Sequence, residues 1–407
     1  MSSTKIQDTV IESLDASKLT GTFGAIDGSS LTNLPPSGEI IMKYTVDPAA
    51  DTNPATGVGT LWLNTETGKM YVCTDATADA NVWNSVSGSE EIGPVWAYQG
   101  TEYGYAVGGN NRVGGPQVFF DDIARFSFAS HGPASDVGNL LTGNTGANGH
   151  KSIDKGWASS GYNGGLVSTI QNFTWDSQTN ATDHGAVSLP NIMPSAGHST
   201  DTYGYTSGGW HFTNSVNYDK WTKFPYASQT DSTAVADLNF SGGFYQHTGW
   251  STDTDLYTAG GYDYGAPAGS RYISQIEKMQ PASDNNSSVC GNMSAKSGYN
   301  SGNNSTTHGF VHGGYDGGGN YYLSRIEKFT FASEGTATNW SSLALPSYDH
   351  GSTQSTTHGY AIGGVEITWA WTMTEIYQYS YSSESNAVVD VGDLTRCMTG
   401  ISDCIAK

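Results

Sequence analysis

Positive charge is scarce in this chain. Its 17 lysines and arginines face 38 aspartates and glutamates, which leaves a formal net charge of −21 over 407 residues. Phosphate backbones and anionic lipid surfaces are repelled by such a field, so neither nucleic acid nor a charged membrane is an expected partner. Acidity alone names no partner, and its plain consequence is solubility. Cysteine is scarce too. Cys73, Cys290, Cys397 and Cys404 are too few and too scattered for a disulfide framework, and the spacing of the last two fits no paired-cysteine zinc motif. They read as reduced thiols. No run approaches the roughly 20 apolar residues of a membrane span, so membrane insertion is not expected. A basic segment followed by an apolar run is also missing from the N-terminus, so no secretory signal is expected. Nucleophile elbows, phosphate loops and paired-histidine metal motifs are absent from the sequence. No catalytic, cofactor-binding or metal residue is therefore assigned, and the chain is expected not to be an enzyme.

What is present is glycine (52 residues) and tyrosine (24), among abundant Ser, Thr and Asn. That mixture disfavours long helices and suits short strands joined by many turns. The expected fold is all-β, and the length allows a large core or two domains.

From about Val95 onward the sequence repeats. An aromatic or apolar strand runs into two small residues in YGYAVGG (Tyr103–Gly109), KGWASSG (Lys155–Gly161), YGYTSGG (Tyr203–Gly209), DLYTAGG (Asp255–Gly261), HGFVHGG (His308–Gly314) and HGYAIGG (His358–Gly364). KGWASSG is the degraded copy. The first of the two small residues falls at 108, 160, 208, 260, 313 and 363, a period of about fifty residues. A second marker follows each after a Gly/Asn-rich loop. It is a pair of bulky residues one apart: Phe126 and Phe128, Phe173 and Trp175, Phe224 and Tyr226, Phe329 and Phe331, Tyr379 and Tyr381, with Met279 and Pro281 as the weakest copy. Three positions before each pair stand Ile123, Ile170, Trp221, Ile276, Ile326 and Ile376. A polar turn and a segment ending at Leu140, Leu189, Leu238, Met293, Leu343 or Leu394 complete the unit. Period-two alternation puts each bulky pair on one strand face, where a layer between neighbouring sheets is the expected role.

Each unit has room for about four strands, and one such sheet cannot bury both faces alone, so the units must stack. This order of strands around a Gly-Gly resembles the kelch repeat, most clearly in LPSYDHGSTQSTTHGYAIGG (Leu345–Gly364). The kelch tryptophan of the last strand is mostly missing, with Trp340 alone near its place. The resemblance implies a six-bladed kelch-like β-propeller over residues 91–407. Two segments compete to supply its first inner strand: TRCMTGIS (Thr395–Ser402) and PVWAYQG (Pro94–Gly100).

The beginning differs. LDASKLTG (Leu14–Gly21) is echoed by IDGSSLTN (Ile26–Asn33), a twelve-residue step too short for a core of its own. Residues 1–38 read as a fibrous attachment segment. Residues 39–90 read as a small hairpin module and linker, with strands at Leu61–Leu63 and Met70–Cys73 and a boundary in SGSEEIGP (Ser87–Pro94). These features resemble bacteriophage fibres and other virion appendages. The resemblance implies a virion structural protein (a tail fibre or spike) assembled in the host cytoplasm. It further implies attachment to other virion proteins through the N-terminus, homotrimerisation, and recognition of a bacterial surface glycan or protein. A head-decorating fibre, an adaptor inside the particle and a kelch-like carbohydrate-active enzyme are the alternatives.

The loops after Gly-Gly differ most between units, and they mix Tyr and Trp with Asn, Asp and Gly. Trp210, His211, Tyr262, Tyr264, Tyr315, Tyr321, Trp369 and Trp371 are the candidate receptor-binding residues. His150, His198, His247 and His350 are expected on or near the innermost strands, facing a channel or its mouth, in a hydrogen-bonding role.

Overall fold

The structure, a computed structural model, describes residues 41–86, 91–92, 99–111, 116–175, 179–189, 196–211, 214–317, 322–366, 372–383, 388–396 and 398–400. All regular structure among them is strand, and none of it is helix. The chain divides into two compact units, Met1–Pro94 and Val95–Lys407.

The first unit holds one sheet of five strands in sequence order: β1 (Ile41–Tyr44), β2 (Leu61–Asn64), β3 (Met70–Asp75), β4 (Val82–Ser85) and β5 (Glu91–Ile92). β1 runs parallel to β2, and the other neighbours are antiparallel. The hairpin expected from the sequence is the β2–β3 pair. Alternation sends Trp62, Tyr71, Cys73 and Trp83 to one face, where they form the buried core of the module. The repeats between Leu14 and Asn33 lie outside the described residues.

Among its described residues the second unit contains three two-stranded sheets and six principal ones, one built on each sequence repeat. The first has three strands (Tyr103–Val107, Asp122–Ser127, Ser135–Asn139). Four antiparallel strands make the second, beginning Asn148–Lys151 and Lys155–Ser159, and the third, beginning Ala196–Ser199 and Tyr203–Ser207. The fourth to sixth follow the same plan from Thr248–Ser251, Ser301–Asn304 and Gly351–Gln354. Within each, the strand bearing the aromatic pair lies next to the outermost strand of its own repeat, and in the fourth sheet Gly335–Thr336 of the next repeat pairs in parallel beyond that strand. Every outermost strand carries a β-bulge, which sharpens the local twist.

The residues marked by the repeat are what join the sheets. Ile123, Ile170, Trp221, Ile276, Ile326 and Ile376 are all buried. The second member of each bulky pair packs on an aromatic from the middle of the preceding sheet's second strand. Trp175 meets Tyr105 at 4.9 Å, Tyr226 meets Trp157 at 4.8 Å, Phe331 meets Tyr257 at 4.9 Å and Tyr381 meets Phe310 at 4.8 Å. Phe128 of the first sheet meets Tyr360 of the sixth at 4.9 Å, so this contact returns to the beginning. Each such pair contributes about 0.5–1.5 kcal/mol beyond the area it buries.

One interface departs from this scheme. Pro281 holds the second position, where an aromatic would stack on Tyr205, and only Met279 of the pair joins Tyr205 in a buried cluster. There the Tyr205 hydroxyl donates to Asp284 at 3.2 Å, Asp284 pairs with Lys223, and the Lys223 ammonium lies 4.9 Å above the Tyr203 ring. An ion pair and a cation–π contact replace the missing stack. Trp340, the single echo of the kelch tryptophan, is buried against Phe310 and Tyr379.

A second set of links runs through the outer strands. The N–H groups of Ala181, Ser232, Ser287 and Ala337 donate to the carbonyls of Asn139, Ala186, Asp237 and Asn292 on the preceding sheet. Ala134 of the first sheet donates to Asp393 of the sixth in the same way, at 2.7 Å. The C-terminal segment adds to this contact: Thr399 and Asn110 exchange both main-chain hydrogen bonds, and Arg396 reaches Asp122 at 3.0 Å. Asp122 is therefore a buried, paired carboxylate. Of the competing PVWAYQG segment only Gln99 and Gly100 are described. Among the described residues the first sheet has no strand on the inner side of Tyr103–Val107.

Two details correct the sequence reading. In the second unit the apolar residue closing the outer strand is Val187, not Leu189. Its N–H bonds Ser168 as those of Leu140, Leu238, Met293, Leu343 and Leu394 bond Asp121, Asp219, Ser274, Ser324 and Thr374, while Leu189 is half-exposed. The degraded copy also keeps the geometry of the others, because Ser160 adopts φ 66° where Gly108, Gly208, Gly260, Gly313 and Gly363 adopt 59–68°. A left-handed serine is strained by about 1–2 kcal/mol. Ser160→Gly is accordingly expected to raise stability by roughly 0.5–1 kcal/mol in urea denaturation. Gly208→Ala would bring a Cβ within 2.8 Å of the His247 ring at φ 62° and is expected to cost about 1–3 kcal/mol.

Candidate functional site

In every sheet of the second unit the second strand ends in two residues of positive φ, which turn the chain out into the loop leading to the third strand. The base of this loop is held from two sides. The first N–H of each pair bonds the third strand, as from Gly208 to Lys220 and from Gly313 to Arg325. The second bonds the segment that leads to the next innermost strand, as from Gly209 to Phe244, Gly261 to Ser297 and Gly314 to Ser347. Two kinds of segment therefore meet at one end of the sheets, here the loop end. The tight turns between first and second strands, such as 152–154, lie at the opposite end.

At the loop end the third to sixth sheets build a continuous line of aromatic rings. Trp210 stacks on Tyr245 with centroids 5.6 Å apart and also touches Tyr264 at 5.4 Å. Tyr245 meets Tyr262 at 5.5 Å, Tyr262 meets Tyr272 at 5.0 Å, and Tyr272 meets Tyr315 at 5.5 Å. From Tyr315 the line divides to Tyr322 at 5.7 Å and Tyr299 at 6.4 Å. It rejoins at Tyr348, 5.1 Å from Tyr322 and 5.9 Å from Tyr299. Most of these contacts are edge-to-face, the favoured arrangement for ring quadrupoles, so each tyrosine fixes the orientation of the next. Trp210 and Tyr245 are buried, Tyr264 is 43% exposed, and the remaining rings are half-buried. In the first two sheets the corresponding aromatic contact is Phe119 with Tyr162 at 5.6 Å.

Polar groups brace this line. Arg271 donates from Nη1 to the Tyr262 hydroxyl at 2.9 Å and from Nε to the Ala266 carbonyl at 3.0 Å, with its guanidinium 5.3 Å from the Tyr264 ring. Asp263 is buried and accepts from Asn217 and the Gly265 N–H, both at 2.8 Å. Burial pushes the Tyr245 and Tyr272 phenols well above the usual tyrosine range. Their hydroxyls stay protonated at neutral pH and act as both donors and acceptors.

Of the residues singled out in the sequence, Tyr262, Tyr264 and Tyr315 lie on this line. Trp210 lies at its end as a buried support. His211 is half-buried beside Tyr218, and its Nδ1 accepts the Asn214 N–H at 3.3 Å. Tyr321, Trp369 and Trp371 fall outside the described residues. Tyr245, Tyr272, Tyr299, Tyr322 and Tyr348 were missed. Three of these sit on the segments preceding the innermost strands, and a spacing of 49–54 residues between Tyr245, Tyr299 and Tyr348 was the available signal.

The histidines are not directed at a channel. His150 and His198 lie on innermost strands but are wedged between sheets, their rings 5.0 Å from Phe224 and 4.8 Å from Trp221. His150 Nδ1 contacts the His198 carbonyl at 3.0 Å, and its Nε2 contacts Ser159 Oγ at 2.8 Å. Ser207 lies between His198 Nε2 (3.0 Å) and His247 Nε2 (3.1 Å), and His312 Nδ1 meets His350 Nε2 at 2.6 Å. The cause is local. Gly149 and Gly197 let these strands approach closely, and alternation then directs residues 150 and 198 into the seam between sheets. Burial lowers the imidazole pKa to about 4 for His150 and His350 and to about 3 for His198 and His247. Ser207 is fully buried, so its two imidazoles serve as hydrogen-bond partners in the seam and not as a nucleophile's base.

At the opposite end, the described part of this unit begins. The Gln99 carbonyl accepts from Lys151 Nζ at 2.9 Å, Gln99 Nε2 donates to the Asn304 carbonyl at 3.2 Å, and the Gly100 N–H reaches Gln354 at 3.0 Å. Burial lowers the Lys151 pKa to about 7. No protein-family model matches the chain, and no curated protein matches it.

Proposed function

We propose that the chain is a virion appendage protein of a bacterial virus, with its N-terminal segment joined to the particle and its second unit displayed for host-surface recognition. In this reading the six sheets are the blades of a kelch-like β-propeller around one axis. The repeating Tyr/Phe/Trp stacks and outer-strand hydrogen bonds support it, because together they link each sheet to the next and the sixth to the first. The twelve-residue copies Leu14–Gly21 and Ile26–Asn33 support a fibrous, homotrimeric attachment region.

The observation that carries the reading is an asymmetry of the second unit. Its first described residue, Gln99, lies at the turn end, while the exposed and half-buried tyrosines gather at the loop end. A domain held by its N-terminal side therefore directs its aromatic surface outward. Tyrosine supplies rigid, amphipathic contact area at low entropic cost, which is what a recognition surface needs.

Immunogold labelling of intact particles with an antibody to the full chain tests this. Gold on an external appendage is the expected result, and its location separates a tail fibre from a head-decorating one. Purified particles that carry no gold would overturn the proposal. Pre-incubating host cells with the purified protein is further expected to slow adsorption of the virus.

A further inference from the structure

The line of tyrosines has a composition that narrows its ligand. Between Tyr262 and Tyr348 the rings stand among Asp, Asn, Gly, Ser and Ala, and the large hydrophobic side chains strongly exposed in this stretch among the described residues are Tyr264, in the loop itself, and Val289, on an outer strand. A protein partner is held by a contiguous apolar centre in which large side chains fill pockets. This surface offers ring faces and edges bordered by hydroxyls and carboxylates instead. Flat apolar patches alternating with donors and acceptors match a pyranose, whose C–H faces are apolar and whose rim is hydroxylated.

Charge narrows it again. Arg271 is engaged by Tyr262 and Ala266, and Arg325 by Glu327, Ala295 and Ser297. Asp263, Asp316 and Asp349 flank the same rings, within a protein of net charge −21. Lys296, three residues before Tyr299, is exposed, but one ammonium among these carboxylates still leaves an anionic polysaccharide facing a net negative field. The rings also follow one another across three neighbouring sheets, and do not surround a single pocket.

Resting on the recognition role above, we infer that Tyr262, Tyr272, Tyr315, Tyr322, Tyr299 and Tyr348 form an extended subsite for an uncharged, linear oligosaccharide of several residues. The rings stack on successive sugar faces, and the phenol hydroxyls with nearby Asp and Asn side chains bond the sugar hydroxyls. Binding strengthens with chain length until the line is filled.

The test uses the full-length protein and a panel of defined hexasaccharides by calorimetry. The neutral probes are malto-, cello-, chito- and mannohexaose, and the acidic ones are hexagalacturonate and a sialic acid hexamer. The expected result is binding of at least one neutral probe, weaker for its trimer and absent for the acidic probes. Tyr315→Ala and Tyr272→Ala are each expected to weaken it about tenfold or more. Tyr315→Phe, which keeps the ring, should bind within a few-fold of the parent, and Tyr162→Ala, on the other side of the loop end, should bind unchanged. Unaltered circular dichroism certifies the fold of each variant, and either alanine variant suffices if the other does not fold. Binding of acidic probes alone, binding of none, or neutral binding indifferent to both alanine substitutions would overturn the inference. A particle labelled by the antibody but without glycan binding sinks only this inference, whereas glycan binding by a protein absent from particles sinks only the virion reading.

Discussion

Lowering the pH from 7 to 5 is expected to cost the protein several kcal/mol of stability, because five histidines are buried in neutral form. His150, His198, His247, His312 and His350 are almost completely enclosed, and burial depresses each imidazole far below its ordinary 6.5. In the unfolded chain these groups protonate near pH 6.5, while in the folded chain they do not until pH falls to about 4 for His150 and His350. Stability is thus unaffected above pH 6.5 and is lost as pH falls from there toward the folded pKa values. Each histidine costs about 1.4 kcal/mol per pH unit over that window. Hydrogen-bonded partners titrate as coupled sets, so the total at pH 5 is smaller than five independent groups would give. The acidic surface acts the other way, since its self-repulsion fades as carboxylates protonate, but exposed charges are individually weak. Urea denaturation at pH 7.5, 6 and 5 measures the slope. His150→Asn, whatever it does at pH 7, should flatten that slope by about 1.4 kcal/mol per unit below pH 6.

Tyr360→Ala is expected to destabilise the second unit by about 3–5 kcal/mol, the usual cost of removing a buried aromatic. Tyr360 is the residue through which the sixth sheet packs on Phe126 and Phe128 of the first. Phe310→Ala, at the equivalent place between the fifth and sixth sheets, serves as the comparison. If the first and last sheets are joined in solution as the others are, the two substitutions should lower the melting temperature by similar amounts, roughly 10 °C. A Tyr360 variant that melts like the parent would mean that this seam is open. Tyr360→Phe, which loses only the hydroxyl bonded by Gln378 at 2.9 Å, should cost about 1 kcal/mol.

Much of this architecture could be read from spacing. The two small residues ending each second strand were visible because a left-handed turn demands glycine there, and the aromatic pairs because they must fill a seam between sheets. The same logic explains what was misjudged. Ser160 looked like decay of the repeat, yet the backbone keeps its left-handed form and the serine tolerates it. Leu189 stood in for Val187, because a bulged strand shifts which residue faces inward and no periodicity reports a bulge. The candidate site was only partly legible. Tyr262, Tyr264 and Tyr315 were found as loop residues, but Tyr245, Tyr299 and Tyr348 belong to connecting segments, and their meeting with the loops is a product of strand order. The histidines were assigned to the correct strands and the wrong direction. What turns them into the seam is the close approach of Gly149 and Gly197, a feature of two strands and not of one.

The most direct measurement is the distance between the outer strands of the first and sixth sheets. Spin labels at Ser135 and Asp390, both exposed, can be introduced after the four native cysteines are replaced by alanine. The Gly132 N–H bonds the Val391 carbonyl at 2.6 Å, so sheets closed around one axis put the labelled backbones within about 15 Å. A pulsed electron–electron resonance distribution centred near 20 Å, after allowance for the label arms, is the expected result. Six sheets stacked in a line at about 10 Å each would instead separate the labels by roughly 50 Å, and that distance would contradict the closed arrangement.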